Sequence, residues 1–151
     1  MAADLGAHYR RYIALLNSHA LSAAALAPFV HDAVTFNGAP LSREAYCELC
    51  RRALADPAAH IDIDRLIVQD AGLAARIAFA RKTSQGESTP GLMIRGRLVT
   101  AEHAIYHFEE GRIRTVWTIV EAKQVDPAKR YVPCDVSASC SQSAHVQVSC
   151  G

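Results

Sequence analysis

Two histidines, His103 and His107, lie four residues apart in a stretch that also carries Trp117 and ends on Glu121. An imidazole changes charge near neutral pH, so it can take a proton from an acidic C–H and return one to oxygen. A nearby Glu121 would raise the pKa of such a base, and burial beside Trp117 would lower it. Tyr12, on an apolar helical stripe, adds a phenol. His103, Tyr12, Glu121 and His107 are therefore the catalytic candidates, and Asn37, Phe36, Tyr106 and Trp117 the residues expected to hold a substrate. A shared metal is not expected, since four strand residues set the two histidine Cα atoms ~13 Å apart. Cys47 and Cys50 form a lone CxxC inside a predicted helix, with no second pair to complete a zinc site.

These residues need a hairpin to position them. Two runs rich in Val, Ile, Tyr, Phe, Thr and Trp flank Glu109, Glu110 and Gly111, the pattern of paired strands around a turn. A two-residue loop would hold Glu110 at positive φ, whereas a three-residue loop asks this only of Gly111, so the longer loop is expected. Pairing Phe108 with Arg112 then sets His103 opposite Trp117. It gathers His103, Ile105, His107, Ile113, Thr115, Trp117, Ile119 and Glu121 on one face, because strand side chains alternate. The other face takes Leu98, Thr100, Glu102, Ala104, Tyr106, Phe108, Arg114, Val116, Thr118 and Val120. A two-residue loop would move both histidines off the Trp117 face. Neither face is cleanly polar, so both must be covered, and an apolar outer face implies a homodimer.

Upstream, Asp4 caps a helix to about Ser18 with Leu5, Tyr9, Tyr12, Ile13 and Leu16 inward. A short helix Ser22–Ala27, a strand Phe29–Asn37 and a turn through Asn37, Gly38, Ala39 and Pro40 follow. Ser42 caps a third helix, Arg43–Leu54, with Tyr46, Leu49, Cys50, Ala53 and Leu54 buried. Strands Ile61–Gln69 and Leu73–Lys82 make a hairpin, and Thr83–Met93 reads as a loop. The order predicts an α+β fold, with helices enclosing a hydrophobic pocket against one face of a curved antiparallel sheet. The domain is expected over 1–123, and 124–151, rich in Ser and Cys, as a tail.

The chain has 151 residues, 16 Lys+Arg against 15 Asp+Glu, and five cysteines. Near-neutral charge argues against nucleic acid, and no apolar run has the length of a membrane span. An odd cysteine count and no signal-like N-terminus suggest a cytoplasmic protein without a disulfide framework.

Several segments carry a family likeness: YIALLN at Tyr12–Asn17, FVHDAVTFNG at Phe29–Gly38, the helix opened by Ser42, Arg43 and Glu44, Pro90–Gly96, and IYHFEEGRIRTVW at Ile105–Trp117. From about Tyr9 to Glu121 the chain resembles the SnoaL-like polyketide cyclases of the nuclear-transport-factor-two-like superfamily. The resemblance implies a cone-shaped cystatin-like fold, a small hydrophobic substrate and acid/base chemistry with neither metal nor organic cofactor. It also implies a cyclase or isomerase of secondary metabolism; a hydratase or epoxide hydrolase and a non-catalytic binding module are the alternatives. The family's closing acidic residue falls at Glu121. The Tyr12 helix is similar to that of ketosteroid isomerases, whose base aspartate falls at Asn37 and whose protonated aspartate falls at Ala104; both carboxyls are missing. That second comparison puts position 104 in the cavity, on the hairpin face opposite the histidines.

Overall fold

The structure, a computed structural model, describes residues 4–82, 92–94 and 97–121. Helix α1 spans Leu5–Asn17, and the Asp4 carboxylate accepts the Ala7 N–H at 2.9 Å, satisfying one of the N–H groups a helix start leaves free. Its stripe of Leu5, Tyr9, Tyr12, Ile13 and Leu16 is buried as expected. Ser22 caps α2, Ala23–Leu26, and Ser42 caps α3, Arg43–Ala53, each through its hydroxyl. The buried side of α3 is Tyr46, Cys47 and Cys50, followed by Leu54; Leu49 and Ala53, expected inside, lie at its exposed margin.

The strands are β1 Val30–Phe36, β2 Ala39–Ser42, β3 His60–Gln69, β4 Gly72–Arg81, β5 Leu92–Ile94, β6 Arg97–Glu109 and β7 Arg112–Val120. They form one curved sheet in the order β2-β1-β7-β6-β4-β3, with β5 paired to β6. Among the described strands, only β1 and β7 pair in parallel. Two strands exceed the expectation. Asn37 and Gly38, at φ +47° and +84°, suffice for the turn, so Ala39 and Pro40 already pair back as edge strand β2, where proline's missing N–H is tolerated. Leu92 and Met93, expected in a loop, belong to β5. The expected tail, 124–151, lies outside the described residues.

The hairpin corrects the register. Glu109 pairs with Arg112, leaving a two-residue loop with Glu110 at φ +50° and Gly111 at +74°. This is the turn whose twist matches paired strands, and that match outweighs the cost of a left-handed Glu110. Phe108 therefore faces Ile113, both buried inside. His107 then pairs with Thr115, so Arg114 is an extra, bulged residue. The bulge shifts the side-chain alternation back by one, and the β1–β7 ladder is irregular between the same two β7 residues, Ile113 and Thr115. Beyond it His103, Ile105, His107, Thr115, Trp117, Ile119 and Glu121 do share a face, whereas Ile113 moves to the other. His103 sits opposite Ile119, and Trp117 opposite Ile105.

Helices α1 and α3 cover the inner face, where Tyr106, Ala104, Val116 and Ile77 are buried among Tyr9, Tyr12, Tyr46 and Cys50. Among the described residues nothing covers the apolar side chains of the outer face: Ile105, Trp117 and Ile119 are all about half exposed or more. Trp117 is therefore not a core residue.

Candidate functional site

A cavity of about 120 Å³ opens between α1, α3 and the inner face of the sheet. Phe36, Phe79, Leu16, Leu54, Ile61 and Val116 supply apolar walls, and Tyr12, Tyr46, Tyr106, Cys50, Glu102 and Thr118 bring polar atoms to it. Each arrives by a rule legible in the chain. Tyr12 and Leu16 are one helical turn apart on α1, Tyr46 and Cys50 one turn apart on α3, and Glu102 and Tyr106 lie on the same pleat of β6.

The phenols form two pairs. Tyr12 and Tyr46 hydroxyls are 2.8 Å apart, a full hydrogen bond. Those of Tyr9 and Tyr106 are 3.4 Å apart, longer than a well-made O–H···O bond, so a ligand oxygen can compete for Tyr106. Burial raises Tyr12, Tyr46 and Tyr106 well above the ordinary phenol value and pushes Tyr9 up to about 12. Burial likewise pushes the Cys50 thiol up to about 12. These groups stay protonated near neutral pH and can donate hydrogen bonds; they cannot serve as bases.

Glu102 is the carboxylate at the cavity. Burial raises its pKa, and a hydrogen bond from the Thr118 hydroxyl offsets part of the rise. Thr118 is itself fixed. Its N–H donates to Asn37 Oδ1 at 2.8 Å, and Asn37 Nδ2 donates to its Oγ1 at 3.3 Å. The Asn37 N–H donates to Val116 O at 2.9 Å, pinning the left-handed residue to β7. Asn37, exposed, reaches the cavity only through Thr118. The result is a chain Asn37–Thr118–Glu102 along the mouth, each member polarising the next.

Four residues of strand separate Glu102 from Tyr106, ~13 Å between Cα atoms, with Ala104 between them on the same face. A carboxyl and a phenol thus line the same cavity, groups able to take a proton and to donate a hydrogen bond.

The remaining sequence candidates lie elsewhere. His103 Nε2 meets Glu121 Oε1 at 2.7 Å on the outer face, and Arg76 grips the same carboxylate at 2.9 and 3.2 Å. Arg76 foremost, then His103, holds Glu121 below the ordinary carboxylate value. His107 and Trp117 are on that face too, both exposed. Alternation alone separates all four from the cavity. Tyr12, Tyr106 and Phe36 do line it. Glu102 was missed as a site residue, although position 102 shares a face with Ala104 and Tyr106. The isomerase comparison at Ala104 was the signal that could have found it.

A cone of this shape, with helices closing a tyrosine-rich cavity over a curved sheet, defines the class. The sequence matches the SnoaL-like polyketide cyclase family over residues 6–125, and the chain belongs to that family. A SnoaL-like polyketide cyclase from Agrobacterium tumefaciens superposes with a TM-score of 0.66 at 30% identity, covering 78% of this chain and 91% of that one. IdmH of Streptomyces antibioticus, provisionally assigned as a polyketide cyclase, superposes at 0.64 with 15% identity over 78% and 92% of the two chains. AclR of Streptomyces galilaeus, provisionally assigned as a hydroxylase, superposes at 0.60 with 18% identity over 80% and 91%. These last two show the fold alone. No curated protein sequence matches the chain, and among the described residues no helix is long and apolar enough to cross a membrane.

Proposed function

We propose that this protein is a cofactor-independent cyclase or isomerase acting on a small, enolisable, polyketide-type carbonyl compound, with Glu102 as the proton-transferring group. The observation that carries the reading is a half-buried carboxyl on the inner face of the sheet, at an aromatic cavity, its pKa raised by partial burial and held back by the Thr118 hydroxyl. A base needs a pKa near working pH to take and return a proton efficiently, and burial supplies that direction.

The Glu102 carboxylate takes a proton from the carbon beside a carbonyl. The C–H electron pair becomes the enolate double bond, and the carbonyl pair moves onto oxygen. Tyr106, loosely paired and protonated, donates to that oxygen, with Tyr12 and Tyr46 behind it. In a cyclisation the enolate carbon attacks a second carbonyl of the same substrate, and the new alkoxide recovers the proton from Glu102. In an isomerisation the proton returns to a different carbon. Phe36, Phe79 and Val116 hold the apolar ring.

The exposed apolar side chains of Ile105, Trp117 and Ile119, uncovered among the described residues, support a homodimer through the sheet. The free thiols of Cys47 and Cys50 accord with the cytoplasm.

Deuterium exchange into a panel of β-dicarbonyl compounds, followed by NMR in D2O, tests proton abstraction whatever the natural substrate. Glu102→Gln should slow enzyme-dependent exchange by about 100-fold or more, while His103→Ala leaves it unchanged. The opposite pattern would move the chemistry to the outer face.

A further inference from the structure

A second cavity of about 200 Å³ lies beside the first, lined by Leu16, His19, Leu21, Arg51, Leu54 and Pro57, with Ala55. Leu16 and Leu54 belong to both cavities and form the wall between them. The outer chamber differs chemically from the inner one. Leucines and a proline share its walls with the His19 imidazole, and a guanidinium stands at its edge where the inner cavity has phenols and a carboxyl.

Among the described residues that guanidinium is only loosely paired. Arg51 Nη1 lies 3.5 Å from Glu48 Oε2, long for a charge-assisted bond, and the other oxygen of Glu48 accepts from Arg52 Nε at 3.2 Å. One carboxylate thus faces two guanidinium groups. Both arginines lie in the last turn of α3, where cations offset the helix dipole. Both side chains are largely exposed, and Arg51 also lines the cavity. On the opposite side His19, at φ +56°, is held by its Nε2 against Ala59 O at 3.0 Å, which fixes the ring as a wall.

We propose that this chamber is a second binding site, for a monocarboxylate with a compact apolar body such as an aryl-substituted acetate, its carboxylate paired with Arg51. The volume agrees with the class: an apolar cavity of ~150 Å³ holds benzene, so this one accommodates a ring with its acid group at the edge. The planar guanidinium fork matches a carboxylate and discriminates against the neutral amide of the same shape. Because Leu16 and Leu54 are shared, an occupant here presses on the wall of the inner cavity.

The test titrates the intact chain with phenylacetate and with phenylacetamide, following backbone amides by NMR. Phenylacetate should shift the amides of His19, Leu21, Leu54 and Ala55 and bind at least tenfold more tightly than phenylacetamide. Arg51→Gln should abolish that preference and Arg51→Lys restore part of it; both replace an exposed side chain, so the fold survives. Glu102→Gln should leave phenylacetate binding unchanged, which separates this site from the proposed catalytic one. Equal binding of acid and amide overturns the proposal. So does an unaffected Arg51→Gln variant, shifts confined to Phe36, Phe79 and Thr118, or no binding at about 10 mM.

Discussion

Thr118→Val probes the proposed catalytic group without touching it. The substitution keeps the branched shape β7 favours and the backbone N–H that donates to Asn37 at 2.8 Å. It removes only the hydroxyl that donates to Glu102 and accepts from Asn37 Nδ2. A hydrogen bond to a charged group contributes about 1.5–3 kcal/mol. Thr118 is half-buried, so the lower end applies, and 1.4 kcal/mol is tenfold in an equilibrium. The ionised form of Glu102 should become about tenfold harder to reach. Since the bond lowers a pKa that burial raises, its loss moves the titration further up. In the deuterium-exchange assay the ascending limb of the pH–rate profile should move to higher pH. Below the limb the rate should fall about tenfold, and on the plateau it should hold or rise, because the base is stronger. Asn37 is exposed, so its freed amide turns to water and stability should change by only about 1 kcal/mol. An unmoved limb would show that Glu102 is not the titrating base. An equal loss at every pH would mean that the Thr118 hydroxyl serves the site by some route other than the titration of Glu102.

Tyr12→Phe removes one partner of the 2.8 Å Tyr12–Tyr46 bond in the core and should cost about 1–2 kcal/mol in urea unfolding, because the Tyr46 hydroxyl stays buried; a neutral result would mean that Tyr46 re-pairs fully, for example with Cys50. His8, packed on Phe29 at 4.9 Å, has its pKa lowered, first by burial and then by Arg11. The unfolded chain therefore binds the proton first, and stability should fall as pH drops below about 6.5. His8→Phe should flatten that fall in denaturation curves at pH 5 and 7, and an unaltered slope would clear His8. Ile119→Asp on the outer face should lower the sedimenting mass with an unchanged circular dichroism spectrum; a wild-type chain that already sediments as a monomer would sink the dimer.

Period and punctuation in the chain determined the elements. The caps at Asp4, Ser22 and Ser42, the α1 stripe, and the β3–β4 and β6–β7 pairs are local, fixed by residues a few positions apart, and they stand within a residue or two of expectation. The family likeness around Phe29–Gly38 and Ile105–Trp117 carried the order of these elements to a cone. The side of β6 that faces the cavity was decided only in three dimensions. On the β6–β7 hairpin both faces carry aromatic and apolar residues, so hydrophobicity gave no preference, and the left-handed preference of Gly111 over Glu110 pointed to the wrong loop. The bulge at Arg114 then restored the alternation that the two-residue loop had reversed. It lies where β7 meets both β6 and the parallel strand β1, a constraint set by residues some eighty positions away. Tyr12 was legible because its helical stripe has one plausible direction; the direction of Tyr106, on the hairpin itself, was not. Glu102 was not, because a glutamate among alternating strand residues reads as solvated until α1 and α3 close over it and burial changes its proton affinity.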